Sequence, residues 1–194
     1  MPHKAGDSFF DKKEKWSEYK DQILSYYMKP YLAKVSRLKK PITIIDCFAG
    51  RGQFKDGNDG SPRIIASKIQ EQLRIHGTPE IRFLAIEKSD GLIDALTDSI
   101  REYSFATVRH DTFENTATLI AELSKTNTVF LYVDPYAIEG LDWGTIVKAL
   151  SQIKLSQSSI ELLMNFNAHA FVRRASAALG KPIPDFAFDP AFPI

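Results

Sequence analysis

ITIIDCFAGRGQF, residues 42–54, is the stretch of sequence that decides the fold. Its first six residues form an almost continuous apolar run rich in isoleucine, which is typical of a strand buried on both faces of a parallel sheet. Gly50 and Gly52 follow soon after, and two glycines here indicate a tight turn from the strand into a helix. Ligands of open α/β sheets bind outside the carboxyl ends of the strands, so this turn is the first candidate for a binding loop.

Four more short apolar runs follow, separated by amphipathic stretches that are long enough for crossover helices. The runs cover residues 81–87, 105–110, 129–134 and 160–166, and the helical stretches cover residues 61–76, 90–102, 114–125 and 142–154. Strands that alternate with helices in this way indicate βαβ units, whose right-handed crossovers bury both faces of a parallel sheet. The sequence therefore predicts an α/β fold with a three-layer, Rossmann-like, mostly parallel sheet.

The composition is that of a globular protein of one domain: 194 residues, 44% hydrophobic and 25% charged. The single cysteine, Cys47, excludes an intramolecular disulfide, and no Cys or His has metal-ligand spacing, so we expect no metal. No stretch approaches the roughly 18 apolar residues of a membrane span, and the first residues lack the apolar core of a signal peptide. We therefore expect a cytoplasmic protein with no membrane partner.

Charge is distributed unevenly around the net value of +1. Residues 1–40 carry ten basic and five acidic side chains, whereas the rest of the chain carries 15 basic and 19 acidic ones. A basic arm of this kind can contact nucleic acid or another polyanion, and a solvated helix face produces the same count. Both interpretations of the arm stay open at this point.

The arm also has helical periodicity, with apolar residues at three- and four-residue steps. Pro30 should interrupt the pattern because proline lacks the N–H that a helix needs, so we expect one helix ending near Met28 and a shorter one after it. The pattern predicts one packed face, formed by Trp16, Tyr19, Ile23, Tyr26, Tyr27, Leu32, Val35 and Leu38.

The C-terminal part contains a further predicted helix at residues 167–179, then Gly180 as its C′ residue, and then the sequence KPIPDFAFDPAFPI. The sequence as a whole therefore divides into three predicted regions. These are a helical arm at 1–40, a Rossmann-like domain at 41–180, and an extended Pro/Phe-rich tail at 181–194 that belongs to the same domain or begins a missing region. Because 28 residues follow Phe166, the fold is expected to be truncated at its C-terminus.

Acidic residues stand at the carboxyl ends of four successive predicted strands or directly after them: Asp46, Glu87, Asp111 and Asp134. Parallel strands bring these ends to one edge of the sheet, beside the glycine turn, where nucleotide sites of doubly wound folds place an acid for ribose hydroxyls. Arg51 and Lys55 within the turn are candidates for binding a carboxylate or phosphate. Lys55 also stands where the dinucleotide fingerprint has its third glycine, which counts against NAD. A tight turn without any ligand remains the alternative.

Several segments together resemble class I S-adenosylmethionine-dependent methyltransferases, and more closely the three-Cys-motif partner protein (TcmP) family, a bacterial and phage-associated group. The resemblance includes the arm around Trp16 and Lys20. Its main segments are IIDCFAGRGQF (44–54), DGSPRIIA (59–66), FLAIEKS (83–89), VDPYAIEGLDWGTI (133–146) and LLMNFN (162–167). In that family the three cysteines belong to the partner, so one cysteine here is consistent with membership.

The resemblance implies a methyltransferase-type sheet that binds S-adenosylmethionine at the glycine turn. Glu87 would take the ribose hydroxyls, and Asp111 with Thr112 would stand near the adenine amino group. The full set of implied cofactor-binding residues is Asp46, Phe48, Ala49, Gly50, Gly52, Glu87, Lys88, Asp111 and Thr112.

The candidate catalytic residues are Asp134, Pro135 and Tyr136, which the resemblance implies, and Asn165, which stands at the end of the fifth predicted strand. Amino-methylating enzymes carry an Asp-Pro-Pro-aromatic motif here, whose acid and prolyl carbonyl receive the target amino group. This chain reads DPYA, with one proline, so Ala137 takes the stacking position. Tyr136 then covers a planar substrate or packs on the sheet edge, and Asn165 orients a substrate or terminates its strand.

The expected function is methyl transfer to the nitrogen of a nucleobase or another amino substrate. The alternative is a catalytically inactive adaptor that keeps the fold and acts with a cysteine-motif partner protein, and a weaker one is another nucleotide-using enzyme of the same fold. The expected partners are a three-Cys-motif protein and nucleic acid bound by the basic arm.

Overall fold

The computed structural model describes residues 10–76, 80–135 and 159–165, together with Gly144, Val147, Ser151 and Gly180. The predicted helices at 142–154 and 167–179 and the tail at 181–194 lie otherwise outside this part of the chain. The described elements are α1 (Lys15–Val35), β1 (Ile42–Asp46), α2 (Ser61–His76), β2 (Ile81–Glu87), α3 (Asp90–Ile100), β3 (Ala106–His110), α4 (Phe113–Leu123), β4 (Thr128–Val133) and β5 (Ser159–Met164).

The five described strands form one sheet in the order β3-β2-β1-β4-β5. All four pairings are parallel, and β1 lies at the centre, with Ile45 opposite Leu84 on one side and Leu131 on the other. Every residue of β1 is buried, as the continuous apolar run predicted. The strand order and the parallel pairings confirm the predicted parallel, Rossmann-like sheet.

Alternate side chains of β1 enter two separate hydrophobic cores. Ile42 and Ile44 pack in the core that α1, α2 and α3 cover, whereas Ile45 belongs to the core that contains Phe113 and Ile120 of α4. The chain therefore changes faces after β3, and the strand order reverses between β1 and β4. In open α/β sheets this reversal opens a crevice at the carboxyl ends of the two strands, which is where ligands bind.

α1 is one continuous helix of 21 residues that passes through Pro30, so the predicted end near Met28 is wrong. A short 3₁₀ turn, Ser36–Leu38, follows it. Proline costs an interior helical hydrogen bond, but the next turn of α1 buries Tyr31, Leu32 and Val35 in the core. Burial of three such side chains outweighs the lost hydrogen bond, since each is worth roughly 1.5–3 kcal/mol.

The packed face of α1 also differs from the prediction. Leu32 and Val35 are buried as expected, and Tyr27 is half-buried and stacks on Phe130 at 5.8 Å between ring centroids. The exposed side chains include five that the periodicity assigned to the packed face: Trp16, Tyr19, Ile23, Tyr26 and Leu38. α1 carries two apolar stripes at helical spacing, and only the stripe that includes Leu24 and Met28 faces the sheet.

None of the helices in the described part of the chain is long and apolar enough to cross a membrane.

Candidate functional site

The sheet register brings three acids to one edge. Asp46 pairs with Ala85 of β2 and with Tyr132 of β4, so Glu87 and Asp134 lie two residues further along their own chains. Burial is the main reason that the pKa of Asp46 is raised, and the charges of Asp134 and Glu87 are close enough to raise it further. The acids predicted at these strand ends therefore lie together at the crevice.

The loop after β1 needs glycine at two positions. Gly50 and Gly52 have φ values of +62° and +80°, which L side chains rarely adopt. A Cβ atom on Gly52 would lie 1.9 Å from the Oγ of Ser99, so the site has no space for any side chain. The carbonyl of Gly52 accepts a hydrogen bond of 2.9 Å from the amide of Gly60, which fixes the loop to the start of α2.

Glu87 binds this glycine loop directly. Its Oε2 accepts a 2.8 Å hydrogen bond from the Gly50 amide, and its Oε1 accepts a 2.8 Å bond from the amide of Ser89. A carboxylate offers about four lone-pair positions, so both oxygens of Glu87 can accept from further donors. The end of β2 thus presents a carboxylate held rigidly against the loop of β1.

Asp46 is fully buried below the same loop. Its Oδ2 accepts a 2.6 Å hydrogen bond from the hydroxyl of Ser61, the first residue of α2, and its Oδ1 accepts one of 3.2 Å from the amide of Phe48. Burial raises the pKa of Asp46 to about 7, and the neighbouring carboxylates of Asp134 and Glu87 add to this effect. Asp46 therefore titrates near neutral pH while it connects β1, its loop and α2.

Phe48 and Ala49 extend the loop across the neighbouring elements. The amide of Ala49 donates a 2.9 Å hydrogen bond to the carbonyl of Ile86, and the ring of Phe48 packs on Phe113 with centroids 6.1 Å apart. Both residues therefore lie at the edge where the sequence placed them.

Phe10, which the sequence analysis missed, lies against the glycine loop. Two of its ring carbons are 3.2 and 3.3 Å from the position that a Cβ atom of Gly50 would occupy. Its carbonyl accepts a 2.8 Å hydrogen bond from the amide of Lys55, and its ring lies 5.8 Å from that of Phe54. The segment before α1 thus covers the loop, and no periodic pattern or motif marks Phe10 in the sequence.

Asp111 and Thr112 lie beside the end of β2 and begin α4. The amide of Asp111 donates to the carbonyl of Glu87 at 3.0 Å. Asp111 accepts from the side chain of Asn115, the amide of Thr112 and the side chain of Arg109, which lower its pKa in that order. The hydroxyl of Thr112 caps α4 through the amide of Asn115 at 3.2 Å. These polar groups are therefore already engaged in local structure.

Lys88 completes the implied cofactor-binding set. Its side chain is exposed directly after Glu87, and its carbonyl lies 3.2 Å from the Nε2 of His110. Arg51 lies within the glycine loop, and its Nε is buried without a hydrogen-bond partner in the part of the chain that the structure describes. Among the described residues, this Nε–H is therefore a donor without an acceptor in the glycine loop.

Asp134, at the end of β4, pairs with a residue of the arm. The Nζ of Lys20 lies 2.5 Å from its Oδ2, and the two side chains are 23% and 22% exposed. The hydroxyl of Tyr132 lies 3.5 Å from the same oxygen and accepts a 2.7 Å hydrogen bond from the Nδ2 of Asn165. Asp134 and Asn165, both predicted, are thus linked through Tyr132, which the sequence analysis missed.

Other groups of the arm surround this pair. Lys20 Nζ stands 4.4 Å from the ring centroid of Trp16, in a cation–π contact. Asp21 pairs with Lys13, and burial raises the pKa of Asp21.

Burial likewise raises the pKa of Tyr132, so its hydroxyl stays protonated at any ordinary pH. Pro135 is half-buried after Asp134, and Tyr136 lies outside the described residues.

Within the described residues, no group of three or more histidine, cysteine or acidic side chains is arranged to hold a metal ion. Cys47 is buried, and burial raises the pKa of its thiol, so it is not a reactive nucleophile.

No protein-family model matches the sequence, and no curated protein sequence matches it. The chain is similar in structure to yhhF of Escherichia coli, classed as a methyltransferase, at 16% identity over 75% of this chain and 68% of that one, with a TM-score of 0.46. A methyltransferase from Geobacter sulfurreducens is 11% identical over 76% and 62% of the two chains, with a TM-score of 0.41.

The human methyltransferase 10 domain containing protein is 15% identical over 80% of this chain and 72% of that one, with a TM-score of 0.39. At these identities and TM-scores the likenesses carry no conclusion about activity or substrate.

Proposed function

We propose that the chain binds S-adenosylmethionine between the glycine loop and Glu87 and transfers its methyl group to a nitrogen atom beside Asp134. One observation carries the proposal: the glycine loop, the carboxylate of Glu87 and the carboxylate of Asp134 meet where the strand order reverses. Ligands of open α/β sheets bind at this point.

The polar groups at the loop suit the polar parts of this cofactor. The carboxylate of Glu87 has free lone pairs for the two ribose hydroxyls. The buried Nε–H of Arg51 is the donor that the methionine carboxylate needs, since it has no partner among the described residues. The carboxylate of Glu87, joined by that of Asp134 once its ion pair with Lys20 opens, makes the crevice negative, which favours the cationic amino and sulfonium groups.

The remaining implied residues act by position. Gly50 and Gly52 supply the left-handed turns of the loop, Asp46 holds the loop against α2, and the ring of Phe10 packs on Gly50. We assign Phe48, Ala49 and Lys88 to the walls of this site, with Asp111 and Thr112 at the end toward the adenine.

When bound, S-adenosylmethionine supplies a methyl group on a positively charged sulfur, so the protein mainly has to align the acceptor and exclude water. Asp134 would accept an N–H of the target amine, point the nitrogen lone pair at the methyl group, and take the proton that the nitrogen loses as the C–N bond forms and the C–S bond breaks. Its carboxylate already receives an N–H donor, the ammonium of Lys20. The target amine takes the place of Lys20, and Asn165 holds Asp134 through Tyr132.

Pro135 and Tyr136 complete the acceptor side in this proposal. The carbonyl of Pro135 accepts the second N–H of the target amino group, and Tyr136 shapes the pocket. Membership of the three-Cys-motif partner family and action with a cysteine-motif protein remain proposals that rest on the sequence segments alone.

The second candidate is an adaptor without catalysis. The Lys20–Asp134 ion pair favours it, because an acid that is neutralised by its own chain cannot receive a substrate until the pair opens. The adaptor proposal predicts cofactor binding or partner binding without methyl transfer.

A methyl-transfer assay with S-adenosylmethionine labelled at the methyl group tests the proposal. Wild-type protein is expected to label an amino-bearing acceptor, first a single-stranded oligonucleotide containing adenine and cytosine, whereas Asp134→Asn loses activity by about a hundredfold and still binds cofactor. Asp98→Asn, an exposed acid on α3, is the matched control and keeps full activity. Cofactor binding without any transfer to nucleic acid, protein or small amines supports the adaptor instead.

A further inference from the structure

The outward face of α1 carries an apolar and aromatic stripe. Tyr19 is 66% exposed, Ile23 56% and Tyr26 80%, and Trp16 lies at the N-terminal end of the same face. These four residues recur at helical spacing, so they form one strip along the helix rather than scattered surface contacts. We call them the α1 strip. Large contiguous apolar surface of this kind marks an interaction site.

The charges around the α1 strip are almost all positive. Six exposed basic residues stand on and after α1, whereas Glu18 is the one exposed acid between residues 15 and 40. Lys29 pairs at 3.5 Å with Glu71 of α2, and both side chains remain well exposed to solvent. The exposed basic residues are Lys15, Lys29, Lys34, Arg37, Lys39 and Lys40.

Aromatic rings interleaved with positive charge suit a partner that has both flat faces and negative charge. Single-stranded nucleic acid has both: its bases stack on aromatic side chains, and its phosphates bind lysine and arginine. A second protein chain would gain from the aromatic rings but not from a surplus of one charge sign. The charge therefore selects a polyanion.

The α1 strip runs from this basic surface to the acceptor side of the candidate site. Trp16 at its end contacts Lys20, and Lys20 contacts Asp134. From Trp16 to Tyr26 the helix rises roughly 15 Å, which matches about four bases stacked 3.4 Å apart. A strand lying on the α1 strip would thus bring its next base close to Asp134.

We propose that the α1 strip binds single-stranded nucleic acid and delivers a base of that strand to the acceptor side at Asp134. The binding of the strand is inferred from the α1 strip alone, whereas the delivery of a base to Asp134 rests on the proposed function. The substrate class of the site is then an exocyclic amino group of an unpaired base.

Fluorescence anisotropy with end-labelled single-stranded and duplex oligonucleotides of the same sequence tests the binding. The wild-type chain is expected to prefer the single strand, with an affinity that falls linearly on a log–log salt plot at a slope of about −0.7 per phosphate contact. The double variant Tyr19→Ala/Tyr26→Ala is expected to raise Kd at least about tenfold, since each stacked base contributes measurably. Ile75→Ala, 60% exposed on α2, is the control and leaves Kd unchanged.

Three results would overturn the proposal: no binding by the wild-type chain at low salt, preference for the duplex, or equal binding by the double variant. A wild-type chain that sediments as a dimer, together with a double variant that sediments as a monomer, would also overturn the proposal. The α1 strip would then be an interface between two copies. Circular dichroism checks that the double variant is folded.

The cofactor separates this proposal from the proposed function. A double variant that loses the oligonucleotide but still binds S-adenosylmethionine supports the α1 strip. A wild-type chain that binds the oligonucleotide and no cofactor contradicts the proposed function and leaves nucleic-acid binding intact.

Discussion

The ammonium of Lys20 lies 2.5 Å from Oδ2 of Asp134, although the two residues are 114 positions apart in the sequence. The contact joins α1 to the carboxyl end of β4. Both side chains are about one-fifth exposed, so the pair adds little stability, on the order of 1 kcal/mol or less. Its main consequence concerns the proposed function, in which the contact makes the N-terminal arm part of the acceptor side of the site.

Lys20→Ala is expected to lower the KM for the methyl acceptor, up to about tenfold, and to change the unfolding free energy by less than about 1 kcal/mol. Without the lysine, the target amine no longer competes with an ammonium for Asp134. Steady-state kinetics measure the effect, with Lys125→Ala as the control, because Lys125 is 61% exposed and lies outside the site and the α1 strip. A higher KM for the Lys20 variant would mean that the lysine itself contacts the substrate.

Asp46→Asn is expected to remove a pH dependence of stability. The pKa of Asp46 is about 7 in the folded chain against an ordinary value of 3.8, so between these values the folded state holds a proton that the unfolded state has lost. Stability of the wild type therefore falls as pH rises from about 4 to 7, by up to about 1.4 kcal/mol per pH unit, and stays low above 7.

Urea unfolding at pH 5 and pH 8 measures this effect. Subtracting the unfolding free energy of the wild type from that of the Asp46→Asn variant at each pH cancels the contributions of the other titrating groups. The variant is expected to become more stable relative to the wild type as pH rises. An unchanged difference would show that the carboxyl group titrates normally.

Gly52→Ala is expected to destabilise the fold by a few kcal/mol. The alanine would meet an unfavourable φ of +80° and the Ser99 hydroxyl at 1.9 Å. Gly57→Ala is the matched control, because Gly57 has a φ of +86° but no atom within 4 Å of a Cβ, so it costs only the backbone strain of about 1 kcal/mol. Thermal unfolding compares the two, and equal losses would contradict the steric conflict with Ser99.

Tyr132→Phe is expected to reduce kcat and to cost about 1–2 kcal/mol of stability. The change leaves the Nδ2 of Asn165 without its 2.7 Å acceptor and frees Asp134 to turn. Tyr31→Phe is the control, since the buried hydroxyl of Tyr31 has no partner among the described residues and its removal is neutral or stabilising. Losses of equal size in both variants would rule out the hydrogen-bond chain.

The sheet was predictable because its strands are buried on both faces. A strand that is buried on both faces consists mostly of apolar residues, as residues 81–87 do, and can therefore be recognised in the sequence. The ends of every described strand, and of every described helix that connects two strands, lie within two residues of their predicted positions. α1 was less predictable, since its two apolar stripes have the same period and the choice between them depends on the shape of the sheet below.

The position of a candidate site residue was predictable where it follows from a place at a strand end. Glu87 and Asp134 met that condition, and the register brought them together. Lys20 and Phe10 did not, because their positions at the candidate site depend on how the N-terminal segment lies across the sheet edge. The sequence places Tyr132 within the apolar run of β4, as a core residue. Only the hydrogen bond that its hydroxyl accepts from Asn165 shows that Tyr132 also contacts a candidate site residue.

Isothermal titration of the wild-type chain with S-adenosylmethionine tests the central claim most directly, with Glu87→Ala and Glu80→Ala as variants. Glu80 is an exposed acid at the opposite end of β2, so its loss leaves the site intact. We predict saturable binding of one cofactor per chain, retained by the Glu80 variant and weakened at least about tenfold by the Glu87 variant. Absence of binding to the folded wild-type chain, or equal binding by both variants, would contradict a cofactor site at Glu87.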